Sequence, residues 1–467
     1  MQRVPASGRR RSGACLLTGS ILCLFLAVPS IGAQDTGSAP SQPAAQPVSI
    51  TLEEAIRRAQ ANAPTFASAV ASSRSADLDR VIARGSLLPN VRALTQGIHT
   101  QGNGLVSQGD EGVTSANPKF VANDSRPNEY FAQGIVDETL SVAGLAAVRK
   151  ADAAAAMARA ELEIARRGLV ATVTGLFYGS LADDHKLDIA QRAYQEAADF
   201  TSLTTKREKQ GEAAHADVIK AQITEQQQWR GWQDAKLAAQ TARLDLGVLL
   251  FSDPRTAFTL ESPQAAATLP AFADVEAAAA KNNAELKSAL ANLRGSEADV
   301  FGARAAFLPT LGLNLTYGID ANEFAANGPL TPDGARARNL GSSTTWTVNL
   351  PVWDWLSTAS KVKQSEIKRD AARVALSATQ RQLIANLQEY YATVQTAQQE
   401  LQSLDQSVDA AAESLRLTKL RYQGGEGLVL EVVDAQNTYV TAQNAREDGR
   451  VRYQTALANL QTLTGTM

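Results

Sequence analysis

From residue 387 to 415 the apolar side chains Leu387, Tyr390, Val394, Ala397, Leu401, Leu404, Val408, Ala411 and Leu415 alternate by three and four. Four heptads of this spacing predict helices packed in coiled-coil fashion. The predicted helix, about 356–421, would reach on the order of 100 Å at 1.5 Å per residue. No proline occurs between Pro127 and Pro254 or after Pro351, runs of 126 and 116 residues without the strongest helix breaker. Each run is broken once by glycine, at Gln210-Gly211-Glu212 and at Gln423-Gly424-Gly425-Glu426-Gly427. Periodic helix resumes on both sides, so Gly211 and Gly424, Gly425 and Gly427 read as tips where long helices double back into hairpins. Each half is thus expected to hold one very long antiparallel pair.

A period of two precedes each hairpin. Leu311, Leu313, Leu315, Tyr317 and Ile319 alternate with small or polar residues, and so do Trp346, Val348, Leu350 and Val352. Runs of about ten residues with one apolar face fit transmembrane strands, near 309–320 and 343–354, with weaker counterparts near 90–101 and 129–141. Gly/Asn/Pro-rich stretches at 102–127 and 321–341 read as outer loops.

The chain also repeats itself. A shift of 220 aligns Asn62 with Asn282, Ala83-Arg84 with Ala303-Arg304 and Leu88-Pro89 with Leu308-Pro309, and a shift of 214 aligns Gly211-Glu212 with Gly425-Glu426. Each unit, 51–250 and 271–467, reads as helix, strand, loop, strand, long helix, tip, long helix. The proline-bearing segment 251–270 links them.

Composition narrows the function. Residues 1–33 carry four arginines, no acid, an apolar run and a small-residue exit at Ala33, the anatomy of a cleaved signal peptide. A flexible leader, 34–50, follows. Removing the signal leaves 41 basic against 48 acidic side chains, a formal charge of −7, which argues against a nucleic-acid-binding face. Cys15 and Cys23 leave with it, so disulfides, zinc ribbons and thiol nucleophiles are excluded. No apolar run reaches the length of a membrane helix, so any span is made of strands. Four strands cannot close a barrel, and an open edge in lipid leaves backbone groups unpaired at several kcal/mol each. Several chains must therefore share one barrel, with their helices extending its wall.

With these elements in place the mature chain resembles the TolC-like outer-membrane efflux proteins, from Thr51-Leu52-Glu53-Glu54-Ala55 through both Leu-Pro strand entries. The most specific match is Arg421-Tyr422-Gln423-Gly424-Gly425-Glu426-Gly427 followed by Leu430-Glu431-Val432-Val433-Asp434-Ala435-Gln436. The resemblance implies a mainly α fold with a transmembrane β-barrel: a homotrimer whose four strands per chain form a shared twelve-stranded barrel in outer-membrane lipid, above a periplasmic α-barrel of long helical hairpins. It implies docking on a periplasmic adaptor and an inner-membrane pump in a Gram-negative-type envelope, and export of small molecules or proteins. It places an acidic constriction at Glu431 and Asp434, which share a helix face at i, i+3; the other reading is a solvated face near a helix N-terminus, where acids are favoured. Tyr422 matches a tyrosine that helps hold the mouth shut, with Asp217 as its first-repeat partner position, or else it caps the heptad seam. Gly427 stands where the best-known relatives carry a gate arginine, so the closing network is expected to be weaker or differently built.

No catalytic constellation, cofactor site or metal site is expected. His99, His185 and His215 lack a carboxylate or cysteine at ligand spacing, and no phosphate loop or nucleophile elbow occurs. Trp346, Trp353 and Trp355 suit a membrane-interface belt or core packing, and Trp229 and Trp232 read as helix-packing residues. The competing class is a periplasmic or secreted coiled-coil scaffold or adaptor that spans no membrane; it leaves the period-two segments and the repeated order unexplained.

Overall fold

The computed structural model describes residues 48–99, 128–262, 269–330 and 332–466. The expected signal peptide, the leader up to residue 47 and the 102–127 loop lie outside them. The first repeat runs β1 (Val48–Ile50), α1 (Leu52–Asn62), α2 (Pro64–Gly85), β2 (Asn90–His99), β3 (Asn128–Leu140), α3 (Val142–Lys209) and α4 (His215–Leu250). After β4 (Phe258–Leu260) the second runs α5 (Phe272–Asn282), α6 (Ala284–Ala305), β5 (Thr310–Ala321), a small hairpin of β6 (Asn327–Leu330) and β7 (Arg336–Arg338), β8 (Leu340–Asn349), α7 (Ser357–Gln423) and α8 (Val429–Thr464). Val48–Ile50 are already ordered at the end of the leader, pairing in parallel with Phe258–Leu260 of the linker.

Local chemistry sets the boundaries. Thr51 caps α1 by accepting from Glu54 N, and Ser141 caps α3 by accepting from Gly144 N. The chain bends before α2 because Pro64 at its start has no N–H to continue the ladder. At the matching bend Asn283 Oδ1 accepts from Leu286 N at 2.7 Å and starts α6 afresh.

The two helices of each hairpin are unequal in length. α3 has 68 residues and α7 has 67, whereas α4 and α8 have 36 each. The return helices stop early, α4 just before Asp253-Pro254 and α8 at Gly465 in the left-handed conformation. The remaining length of α3 packs against α2 and α6, and that of α7 against α6. Ion pairs mark the register: Asp77–Arg159 and Arg84–Asp152 between α2 and α3, Lys150–Asp299 between α3 and α6, and Arg304–Glu366 between α6 and α7. The side-by-side order is therefore α2-α3-α6-α7 on the strand side and α4-α3-α8-α7 on the tip side.

The nine expected heptad positions are all buried or half-buried. Leu387, Val394 and Ala397 join Val275, Ala279, Tyr453, Leu457 and Leu460 in a core where α5 wedges against α7 and α8. The first repeat builds the equivalent core from Ala55, Ala59, Val173, Phe177, Leu246 and Leu250. The buried Arg167 joins the repeats, donating to Thr462 O at 3.1 Å and Asn282 O at 3.2 Å.

The main sheet is antiparallel, in the order β2-β3-β5-β8. Each strand adjoins a helix along the chain: α2 leads into β2, β3 into α3 and α6 into β5, and β8 leads through a turn at 350–356 into α7. Strand order and helix order thus coincide. The register places Val91, Val136, Leu140, Leu311, Leu313, Leu315, Ile319, Leu340, Trp346 and Val348 on one face. The opposite face carries Arg92, Gln96, Gln133, Asp137, Asn314, Thr316, Ser343 and Thr345. There Arg92 Nε lies 2.9 Å from Asp137 Oδ2. The first face is mainly apolar, although it also holds Thr95, Glu138, Ser342 and Thr344, and the second is mainly polar, although it also holds Leu94, Phe131 and Ile135; one apolar and one polar face is the pattern of a membrane barrel wall. β8 begins and ends earlier than the alternation suggested. Pro351 cannot donate to a ladder, and Trp355 and Leu356 turn the chain at φ 55° and 62°. Trp353 and Trp355 consequently stand exposed in this turn, with ring centroids 5.7 Å apart.

Candidate functional site at the hairpin tips

Two turns close the ends of the hairpins farthest from the sheet, and they are built alike. At the first, Glu212 N donates to Arg207 O at 2.9 Å, with Gly211 at φ 77°. At the second, Glu426 N donates to Arg421 O at 3.0 Å, with Gly425 at φ 83°. Both are Schellman turns, in which a left-handed residue lets the chain reach back to the last helical carbonyls. Glycine adopts that conformation without Cβ strain.

Around the turns the phenol and apolar side chains form a small core of Phe200, Ala221, Tyr422, Val429, Val432 and Val433. Tyr422 is only 5% exposed; its ring centroid lies 5.1 Å from that of Phe200 and its hydroxyl donates to Thr204 Oγ1 at 3.3 Å. Arg207, at the end of α3, reaches across to the end of α7. Its Nη1 donates to Tyr422 O at 2.6 Å and its Nη2 to Gln423 O at 2.9 Å, while Cζ sits 4.9 Å from the Tyr422 ring centroid. A cation at a helix C-terminus satisfies carbonyls that lack intrahelical partners and complements the dipole.

The four site residues expected from the sequence are not one cluster within the chain. Tyr422 is at the centre of the tip core. Glu431 lies in the first turn of α8, with Oε2 3.5 Å from Arg421 Nη1 and its side chain 41% exposed. Asp434 is exposed one turn further on. Asp217, in the first turn of α4, is half-buried, and the hydroxyl of Tyr422 bonds Thr204 instead. Among the described residues no ion pair or hydrogen bond holds the carboxylate of Asp217 or Asp434. Gly427 has a packing reason: a Cβ there would lie 2.9 Å from Tyr422 N and 3.2 Å from Arg421 C. The turn folds back onto the end of α7 too closely for a side chain.

Sequence reasoning missed Arg207 and Thr204, whose partners lie more than 200 positions away. A signal existed, since Lys206, Arg207 and Lys209 crowd the last turn of α3. It also missed the partners of two histidines: His215 Nδ1 lies 2.6 Å from Glu208 Oε1 across the first tip, and His185 Nδ1 lies 2.9 Å from Glu447 Oε2. Glu447 is 2% exposed and also receives Arg446 and Arg450. Burial works against its charge, yet His185 and the two guanidiniums prevail and hold the carboxyl down to about 2. The hydrogen bond to Glu447 in turn raises the His185 pKa, against its own desolvation. This pair pins α3 to α8. Among the described residues no cluster of metal-ligating side chains occurs and no helix is long and apolar enough to cross a membrane.

Comparison with known proteins agrees with this architecture. The family model "Outer membrane efflux protein" matches residues 277–466. The pyoverdine export outer membrane protein OpmQ of Pseudomonas putida is 26% identical over 418 residues, 84% of this chain and 81% of that protein. The probable efflux pump outer membrane protein TtgC of Pseudomonas putida is 25% identical over 396 residues, 82% of this chain and 76% of that one. Outer membrane protein OprJ of Pseudomonas aeruginosa is 28% identical over 168 residues, so the match spans 36% of this chain and only about a third (34%) of that protein's length. Among solved structures the Campylobacter jejuni CmeC outer membrane channel has TM-score 0.74 at 15% identity over 89% of this chain and 85% of that one. The outer membrane protein VceC of Vibrio cholerae has TM-score 0.72 at 18% identity over 89% and 96%. The shared fold, the polar and apolar faces of the sheet and the match of residues 277–466 agree: this chain has the fold of the outer membrane channels and is similar in sequence to the outer membrane efflux proteins, among them OpmQ and TtgC.

Proposed function

We propose that three copies of this chain assemble head to tail into an exit duct, a shared twelve-stranded barrel continued by an α-barrel, that takes cargo from a periplasmic adaptor and an inner-membrane pump. The observation that carries this reading is the pair of free edges. Among the described residues β2 and β8 have no strand partner on their outer sides, and they run in opposite directions, so β8 of one copy can add antiparallel to β2 of the next. The helix edges continue them and bear exposed apolar side chains: Leu78, Val81 and Ile82 on α2, against Ile367, Val374 and Ile384 on α7. Such unlike, complementary edges generate a closed ring when the rotation permits, and closure removes the edges that lipid cannot satisfy.

In this ring Glu431 and Asp434 of three chains bring six carboxylates to the periplasmic mouth, favouring cations there. The relatives' names extend from pyoverdine export to efflux pumps and protease secretion, so the cargo class is small molecules or proteins. Native mass spectrometry of the detergent-solubilised protein should give three copies, and planar bilayers should show a cation-preferring conductance. A stable monomer that washes off membranes in urea would overturn the duct in favour of a scaffold.

A further inference from the structure

The two tip turns are alike, but their arginines are not. Arg421 faces Glu431 on its own hairpin, whereas Arg207 leaves its own hairpin and clasps the end of the other. We propose that Arg207 is the positioning residue that holds the second tip against the first and so keeps the periplasmic mouth narrow. This inference rests on the duct reading above.

The geometry is that of a releasable clasp. A planar guanidinium supplies two parallel donors to two successive carbonyls, fixing direction as well as distance, and it stacks on the ring of the residue it binds. Arg207 is 19% exposed and Glu212 Oε2 steadies its Nε from 3.6 Å. The clasped carbonyls belong to the last turn of α7, next to the exposed Gly424 and Gly425, where water can replace the guanidinium once the side chain withdraws. Tyr422 O keeps a second bond, from Gly425 N at 3.2 Å, so the turn itself survives release. The link is also one-sided. Among the described residues Arg421 offers no reciprocal bond to the end of α3, so withdrawing a single side chain removes both of the bonds that the end of α7 receives on its carbonyls from the first hairpin. What remains at the tips is the long 3.3 Å bond from the Tyr422 hydroxyl to Thr204 Oγ1 and the apolar contact of Tyr422 with Phe200.

The test uses the full assembled protein with Arg207→Ala, Arg207→Lys and, as comparator, Arg416→Ala, whose guanidinium pairs, among the described residues, with Glu413 of its own helix. Two readouts are taken, amide exchange over residues 420–432 and single-channel conductance. Loss of two charge-assisted bonds should speed exchange roughly tenfold in Arg207→Ala and raise conductance severalfold. Lysine cannot bridge both carbonyls and should fall between Ala and wild type, and Arg416→Ala should match wild type. Unchanged exchange in both Arg207 variants overturns the clasp; faster exchange with unchanged conductance overturns its role at the mouth. A wild-type assembly that inserts but never conducts overturns the duct reading instead, while the exchange data still decide the clasp.

Discussion

The first and second hairpin tips share one backbone design and differ in nearly every side chain that could serve a pore. A shift of 214 superposes Arg207 on Arg421, Gly211 on Gly425 and Glu212 on Glu426, and the reach-back bonds agree within 0.1 Å, 2.9 against 3.0 Å. The same shift sets Glu208 against Tyr422, Ala213 against Gly427, Asp217 against Glu431 and Lys220 against Asp434. The helix face that follows the first turn pairs an acid with a base, and that following the second holds two acids. The duplicated turn preserved what a helix reversal requires, while the surfaces beyond it were free to diverge.

Giving the second tip the first tip's charges should have the largest effect. Asp434→Lys, reproducing Lys220, is expected to abolish the cation preference of the assembled channel, and Glu431→Ala with Asp434→Ala to weaken it and enlarge the conductance. Reversal potentials in asymmetric salt measure both; an unchanged preference would mean that the acidic pair lies away from the conduction path.

Above the tips, the hairpins are joined by Glu447 and His185. Glu447→Gln removes the charge that three cationic groups converge on and should cost about 2 kcal/mol, the scale of bonds to a buried charge, seen as a lower melting temperature. The pH dependence has a definite sign. The depressed Glu447 contributes fully above its ordinary value of 4.5 and loses its contribution as pH falls toward about 2. The raised His185 contributes fully below its ordinary 6.5 and loses it as pH climbs through its elevated value. The pin is therefore strongest between pH 4.5 and 6.5 and fades on the alkaline side. Wild type should lose melting temperature there relative to His185→Gln; parallel profiles would remove the histidine from the account.

The features that could be read from the chain are those written in local periodicity. The heptads of α7, the strand alternation of β5 and the glycine tips each repeat within a few residues, and the physics that buries or turns them acts over the same distance. The unequal hairpin arms were less legible, since a long helix carries the same stripe whether its partner is one helix or two in series. Pro64 and Asn283 hinted at the breaks. The Arg207 clasp, the Thr204 hydroxyl and the His185–Glu447 pair were invisible because each depends on which faces of distant helices meet.

If the turns are truly equivalent, removing their left-handed glycines should be equally harmful. Gly211→Ala and Gly425→Ala are each expected to weaken their own tip by about 1 kcal/mol, the cost of a Cβ in the left-handed region, measured as the local opening energy from amide exchange. Gly427→Ala should add a penalty at the second tip alone, because its Cβ would meet backbone. The first tip carries Ala213 at that position already.

The smallest effect separates two accounts of Tyr422. Its hydroxyl makes one 3.3 Å bond, to Thr204, which is at the long end for two hydroxyls. Tyr422→Phe should therefore cost only about 0.5 kcal/mol, whereas Tyr422→Ala loses the ring that fills the tip core and carries the guanidinium of Arg207. A double-mutant cycle sharpens the contrast. Coupling of Tyr422→Phe with Thr204→Val should equal the whole effect of the hydroxyl, and coupling with Asp217→Ala should vanish. The reverse result would mean that the phenol's working partner is the acid of the first tip, and that the two tips are tied through Asp217 rather than through the end of α3.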